Sequence, residues 1–371
     1  MKVTVHRERL LQAFGPVAAV APQRSPKPIL QNIKFEVTAD SATLLATDLE
    51  VGIRHQIEGI EIDTPGVVLL PTQRFGNIIR ENTDDTVLIE TTEKHTIIKG
   101  QRSEFQLPAA NPGEYPAVAG FDEASYHEVA GRLFKEMIRR TLFATENESS
   151  RYALGGIKLE ATDNELTAVG TDGRRLAKMA GPIAQVGDAV PFGEATIVPS
   201  RSMQLIDRVI PDDESTIRLA VRQNELLVST PQATLITRLL EGRFPRWREV
   251  IPASRDSSKI ELPVSQLASA TRQAQIMMSE EKRGIDFMFG EGTLVAMGRA
   301  AEIGESRVEM PIGYDGRIIT IALDPKFLLD FLKVLEPSST ITLDLYDGDS
   351  AALCKTDDGY CYVIMPLARD R

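Results

Sequence analysis

Tyr152-Ala-Leu-Gly-Gly-Ile157-Lys-Leu-Glu-Ala161, then Thr162-Asp163-Asn164, then Leu166-Thr-Ala-Val-Gly-Thr171-Asp172 is the stretch that decides the fold. Apolar and polar residues alternate on either side of an Asp/Asn turn, which predicts a β-hairpin. The same line occurs earlier as Pro28-Ile-Leu-Gln-Asn-Ile33-Lys-Phe-Glu-Val37, Thr38-Ala39-Asp40, Thr43-Leu-Leu-Ala-Thr47-Asp48. A third, fainter copy runs Gly284-Ile-Asp-Phe-Met-Phe289, Gly290-Glu291-Gly292, Leu294-Val-Ala-Met-Gly298. Such self-similarity points to repeated modules.

The order continues in each copy. Leu69-Leu70-Pro71-Thr72, Ile197-Val198-Pro199-Ser200 and Ala322-Leu323-Asp324-Pro325 each end a strand and open a helix. Thr72 and Ser200 are expected to cap through the hydroxyl, and Asp324 through its carboxylate with proline at the first helical position. Helical spacing follows in Phe75, Ile78, Ile79; in Leu205, Ile206, Val209; and in Phe327, Leu328, Phe331, Leu332, Leu335. A further helix opens each copy, over 7–19, 127–143 and 264–278. Proline-marked junctions stand at Asn111-Pro112-Gly113-Glu114-Tyr115-Pro116 and Ile251-Pro252. The pattern predicts an α+β chain of three modules, 1–120, 121–251 and 252–371.

The net charge of −11 argues against a generic nucleic-acid binder, whose affinity comes from neutralising phosphates. The charge is nevertheless unevenly placed. The predicted helices carry Arg7, Arg9, Arg74, Arg80, Arg132, Lys135, Arg139, Arg140, Arg201, Arg208, Arg272, Lys326 and Lys333 against the acids Glu8, Glu81, Glu128, Glu136, Asp207 and Asp330. Arg132, Lys135 and Arg139 share one helix face at i, i+3, i+7. This bias suggests helices facing a polyanion with a weak, sequence-blind basic lining.

Cys354 and Cys361 fit neither a zinc site nor a redox motif and read as reduced thiols of a cytoplasmic protein. No apolar run is long enough to span a membrane, and the start Met1-Lys2-Val3-Thr4-Val5-His6-Arg7 lacks a signal-peptide core. A hydrolase built on Asp48, Asp163 and Asp172 is the rival from another class. Asp48 and Asp172 are repeat equivalents at strand ends, however, and Asp163 sits in a turn, so structural roles fit better. His6, His55, His95 and His127 are scattered, and neither a phosphate loop nor a nucleophile elbow occurs. No catalytic residue, metal or cofactor is implied. A peptide-binding scaffold unrelated to DNA is a second rival, but it does not need basic helices.

The chain resembles the bacterial DNA sliding clamps over its full length. The resemblance rests on Thr171-Asp172-Gly173-Arg174-Arg175-Leu176-Ala177, Gly242-Arg243-Phe244-Pro245 and Tyr362-Val363-Ile364-Met365-Pro366-Leu367. Pro28-Ile29-Leu30 and Pro108-Ala109-Ala110-Asn111-Pro112-Gly113-Glu114-Tyr115-Pro116 agree with it. It implies three clamp-type domains, each with two helices on one side and β-sheets outside. Two chains then close head to tail as a ring around duplex DNA. It also implies a clamp loader, replicative and repair DNA polymerases, ligase and mismatch-repair proteins as partners, and a cytoplasmic, nucleoid-associated location.

Carried over position by position, the resemblance places a partner-peptide cleft at Leu154, Thr171, Gly173, Arg174, Arg175, Leu176, Pro245 and Val250. Asp324, Phe327, Ser350, Val363, Ile364, Met365, Pro366 and Leu367 complete it. Apolar walls would take leucine and aromatic anchors, Gly173 would allow close backbone approach, and Arg174 or Arg175 would hold a peptide carbonyl or carboxylate. Arg24, Tyr152, Arg80, Arg132, Lys135, Arg139 and Arg201 are the expected DNA contacts. Arg102, Phe105 and Leu107 are expected to meet Ile276, Met277, Glu302 and Glu305 at the dimer seam. The chain departs from the family where Glu249 replaces a usual base, Asp324 a common asparagine and Lys282 an aromatic of some members. Its end, Ala368-Arg369-Asp370-Arg371, is also longer than usual.

Overall fold

The computed structural model describes residues 1–146, 153–162, 164–193, 195–252, 257–279, 284–300 and 303–368. Tyr152, Asp163, Lys282 and Glu302 lie outside the described residues. Seven α-helices occur among the described residues: α1 Arg7–Val20, α2 Thr72–Glu81, α3 Gly131–Leu142, α4 Ser200–Val209, α5 Trp247–Val250, α6 Val264–Ala274 and α7 Pro325–Lys333. Each repeat therefore supplies two helices, with the four-residue α5 at the second junction.

The chain divides into two compact units: 1–135 with 183–191 and 201–239, and 136–182 with 192–200 and 240–371. In the first unit a five-stranded sheet runs Ile60–Thr64, Lys2–His6, Thr86–Thr91, His95–Lys99, Glu104–Pro108. A nine-stranded sheet joins the first repeat to part of the second, where Val51–Gln56 pairs antiparallel with Ala233–Arg238. Phe35, Leu44 and Phe75 are fully buried in this unit, and Phe14 meets Phe75 edge-on at 5.6 Å.

In the second unit an eight-stranded sheet runs from Ile197–Pro199 through the hairpin Gly156–Thr162/Glu165–Thr171 to Arg175–Pro182. It continues into the third repeat through Cys361–Ile364, Ala352–Lys355, Thr340–Leu345 and Ser258–Pro263. A four-stranded sheet, Gly304–Pro311, Thr293–Ala300, Ile285–Gly290, Ile319–Leu323, completes this unit. Phe331 stacks on Tyr362 at 4.7 Å, and the buried Tyr362 hydroxyl donates to the Phe327 carbonyl at 2.9 Å. The aromatic body thus gains apolar contact while its polar end stays satisfied.

Several expectations are corrected. The segment 127–143 opens as a strand, Tyr126–Ala130, so His127 and Glu128 leave the helix and its charge balance. The helix over 264–278 ends at Ala274 and tightens into a 3-10 turn, Gln275–Met277. Thr72 and Ser200 do not precede their helices but begin them. The Thr72 hydroxyl donates to the Gln31 carbonyl at 2.7 Å and Ser200 to the Gly155 carbonyl at 2.8 Å. These repeat-equivalent bonds pin each helix start to the chain entering a neighbouring strand. Asp324 caps as expected, accepting from the Lys326 N–H at 2.9 Å.

Burial lowers the pKa of His55 from 6.5, opposed by a hydrogen bond to the Gln56 carbonyl. The unfolded chain therefore takes up a proton that the folded strand resists. Stability should be full above about pH 6.5 and fall with acid until the folded-state pKa is passed. Urea midpoints at pH 7, 6 and 5 should show this fall, and His55→Gln should lessen it, with His127, whose pKa burial also lowers, supplying a further part.

Candidate functional site

The second and third repeats are sewn together by backbone register. Arg175 stands opposite Ile364 and Leu176 opposite Val363. The Met365 N–H donates to the Arg174 carbonyl at 2.9 Å, and the Leu367 N–H to the Ala322 carbonyl at 2.8 Å. Residues almost 200 positions apart thereby come to one place. The register alone gathers Arg174, Arg175, Leu176, Val363, Ile364 and Met365.

Leu176 and Val363 form a buried cluster with Val169, Trp247, Leu353 and Cys361, against which Phe244, Ile251 and Ala351 pack half-buried. At 1 % and 0 % exposure, Leu176 and Val363 are the floor beneath the surface rather than open walls. Leu154 and Phe327 are buried too, whereas Val250 is 41 % and Met365 43 % exposed. Pro245, Pro366, Leu367 and Ser350 are half-buried. Val250 and Met365 are thus the exposed apolar residues of the expected set, and Pro245, Pro366 and Leu367 are partly exposed beside them in sequence.

The turn before this strand is built the same way in two repeats. The Thr171 hydroxyl donates to the Arg175 carbonyl at 2.6 Å, while the Asp172 carboxylate accepts from the Arg174 and Arg175 N–H groups at 2.9 and 3.0 Å. Thr47 and Asp48 repeat the pattern onto Val51. Gly173 has φ +85° where a Cβ would meet nothing, so it is the backbone angle, and not a lack of space, that favours glycine there. Leu49 takes the same left-handed position, at φ 80°. Both aspartates are thus occupied as turn caps.

The two adjacent arginines part company. Arg175 turns inward: its guanidinium donates to Asp172 at 2.9 Å, Asp330 at 2.7 Å and the Phe143 carbonyl at 2.7 Å. It also lies 4.4 Å from the Phe327 ring centroid. Arg175 therefore locks the turn to α7, and of the two arginines only Arg174 is exposed, with a guanidinium that can donate to a carboxylate or carbonyl.

Sequence reasoning missed the anchor of the segment 244–250. Trp247 is buried, and its Nε1–H donates to Glu160 at 3.3 Å, while Arg248 donates to the same carboxylate at 2.6 Å. A lone tryptophan beside a proline at a domain junction was the available signal. Glu249 remains exposed and pairs with Arg246 at 3.4 Å. Exposed pairs are worth little, so Glu249→Ala should change stability by less than about 0.5 kcal/mol in thermal unfolding.

Of the expected DNA contacts, Arg24 and Arg80 are exposed. Arg132 pairs with Glu214 at 2.7 Å, Arg139 with Glu136 at 3.8 Å, Lys135 with Asp212, and Arg201 with Asp48. Each of these four bases is partly neutralised by an acid, which lowers the attraction it can offer a phosphate.

Of the seam residues, Phe105 lies on the outer strand Glu104–Pro108 and is 39 % exposed, and Arg102 is exposed. Leu107 is 5 % exposed and already belongs to its own module's core. In the second unit Ile276 is 68 % exposed and Met277 half-buried. Glu305, on the outer strand Gly304–Pro311, is engaged by Arg299 at 2.8 Å.

Family models of the DNA polymerase III beta subunit match in series: the N-terminal domain over residues 1–119, the central domain over 128–246 and the C-terminal domain over 248–368. The beta sliding clamp of Chlamydia muridarum is 30 % identical over 370 residues, 99 % of either chain. That of Pseudomonas putida is 29 % identical over 99 % of this chain and 100 % of its own. Among solved structures, the Pseudomonas aeruginosa sliding clamp bound to griselimycin superposes with a TM-score of 0.91 at 28 % identity over all of both chains. The Bacillus subtilis clamp, at 23 % identity and a TM-score of 0.92 over all of both chains, shares the fold. No helix among the described residues is long and apolar enough to cross a membrane. Three family domains in order, carried by two helices per repeat and sheets continuous across the repeats, place this chain in the DNA polymerase III beta subunit family, the DNA sliding clamps.

Proposed function

We propose that this sliding clamp closes as a head-to-tail homodimer around duplex DNA and tethers its partners through the patch of Val250, Met365, Pro366 and Leu367, with no catalysis of its own. The observation that carries the reading is the register Leu176↔Val363 between the second and third repeats. It supports a preformed apolar base with Arg174 at its edge, where a short peptide with leucine or aromatic anchors would lie. The replicative and repair polymerases and the clamp loader are the partners proposed for that cleft, and domain limits at 120 and 251 are proposed with it. Bases offset by acids, Arg132–Glu214 among them, suit a ring that slides rather than grips.

The test is topological. The protein is loaded on nicked circular DNA by a clamp loader, and the circle is then linearised. Release from the free ends is the expected result; retention on the linear DNA rejects encirclement. Separately, Met365→Ala with Leu367→Ala should reduce polymerase stimulation about tenfold or more while the native mass is kept. Unchanged stimulation rejects the cleft.

A further inference from the structure

We propose that Glu160 is the positioning residue of the partner cleft, holding the segment 244–250 in the place from which Pro245 and Val250 meet a ligand. The inference rests on the cleft reading above and adds a residue outside it.

A four-residue helix such as α5 has no stability of its own in water. Its position must come from side chains, and these converge on the strand Gly156–Thr162. Glu160 accepts from Trp247 Nε1 at 3.3 Å, from Arg248 at 2.6 Å and from Lys158 Nζ at 3.1 Å. Lys158, two residues earlier on the same face, also lies 5.7 Å from the Phe244 ring centroid. The residues on both sides of Pro245 are thus held from one strand. Ile251, directly after Val250, packs on the cluster containing Leu176 and Val363.

Burial would raise the Glu160 pKa, but hydrogen bonds from Arg248, Lys158 and Trp247 outweigh it and hold the carboxyl below its ordinary value. The group therefore stays charged where three donors need it. Arg248 closes the arrangement from outside, its guanidinium 4.2 Å from the Trp247 ring centroid. None of these groups points to chemistry; their common effect is to fix a loop. A loop held in its bound shape before the ligand arrives binds more tightly, because less freedom is lost on binding.

The experiment uses the full-length protein and, as probe, griselimycin, to which a similar clamp is bound in its solved structure and which is proposed to occupy this cleft. Affinity is measured by calorimetry beside thermal unfolding, native mass and Trp247 emission. Wild type should bind and Met365→Ala should bind more weakly; if either fails, the cleft reading itself falls. With both in place, Glu160→Ala should weaken binding about tenfold and shift Trp247 emission to the red, with the dimer mass unchanged. Glu160→Gln keeps an acceptor for Trp247 and should give a smaller loss; it decides the matter if the alanine variant does not fold. Trp247→Phe, which removes one donor and keeps an aromatic ring, should also weaken binding. Wild-type affinity in both Glu160→Gln and Trp247→Phe overturns the role of Glu160 while leaving the cleft standing.

Discussion

Arg175→Ala should lower the free energy of unfolding by about 3–5 kcal/mol, the range found when one partner of a buried ion pair is removed. The side chain of Arg175 is 5 % exposed, and it faces Asp172 at 16 % and Asp330 at 31 %. Its loss takes the guanidinium from Asp172, which keeps two backbone N–H donors, from Asp330, which keeps Lys326 at 3.8 Å, and from the Phe143 carbonyl, and opens a void beside the Phe327 ring. Asp330→Ala should cost less, about 1–2 kcal/mol, because Asp172 and Phe143 still hold the guanidinium. Arg175→Lys should not restore the wild-type value, since one ammonium cannot reach three acceptors laid out for a planar fork. The chain has a single tryptophan, Trp247, and it is buried in the same unit, so its fluorescence reports this transition directly. Urea midpoints of the three variants provide the comparison. A midpoint for Arg175→Ala equal to that of wild type would show that the buried ion cluster adds nothing to stability. Because the Arg174–Leu176 backbone lies at the base of the proposed cleft, the same variant should lose affinity for griselimycin, the probe proposed to occupy it.

The contrast between neighbours Arg174 and Arg175 marks the limit of what the chain's order of residues discloses. The hairpins were readable because alternation and turn chemistry are local: Asp172 caps the N–H groups two and three residues on, and Asp48 does the same. The repeat was readable because three copies keep that local order. Which arginine turns inward was not, since it depends on Asp330, 155 positions away. Thr72 and Ser200 look alike as a cap or as a first helical residue, and distant partners, Gln31 and Gly155, decide between these. The start of α3 was misplaced because Tyr126–Ala130 owes its strand form to Thr216–Arg222, a pairing with no local mark. The anchor at Glu160 escaped for the same reason: on a strand its carboxylate reads as an ordinary solvent-facing charge until Trp247 and Arg248 are brought to it. The family resemblance supplied the expected cleft positions, and burial divides them into buried, half-buried and exposed residues.

Phe105→Arg should turn the proposed dimer into a monomer at micromolar concentration, seen as a native mass of 40.9 kDa rather than twice that value. The argument turns on symmetry. A head-to-tail pair presents the outer strand Glu104–Pro108 of each copy to the last module of the other, so one substitution is felt at both seams. Loss of an apolar anchor at an interface costs about 2 kcal/mol, and two seams give about 4 kcal/mol, near a thousandfold in dissociation constant. Ile276→Asp, on the opposing side and 68 % exposed in the single chain, should act in the same direction and by a similar amount. Glu305→Ala should differ: Arg299 of the same chain already engages that carboxylate at 2.8 Å, so its loss should shift dimerisation less than about threefold. Leu107→Ala should act mainly on the stability of its own module, because that side chain is buried before any partner arrives. Monomers made by Phe105→Arg should keep griselimycin affinity, since the proposed cleft lies within one chain, yet should fail to remain on circular DNA. A dimeric mass for both Phe105→Arg and Ile276→Asp would reject this seam, and monomers that stay on circular DNA would reject encirclement as the means of retention.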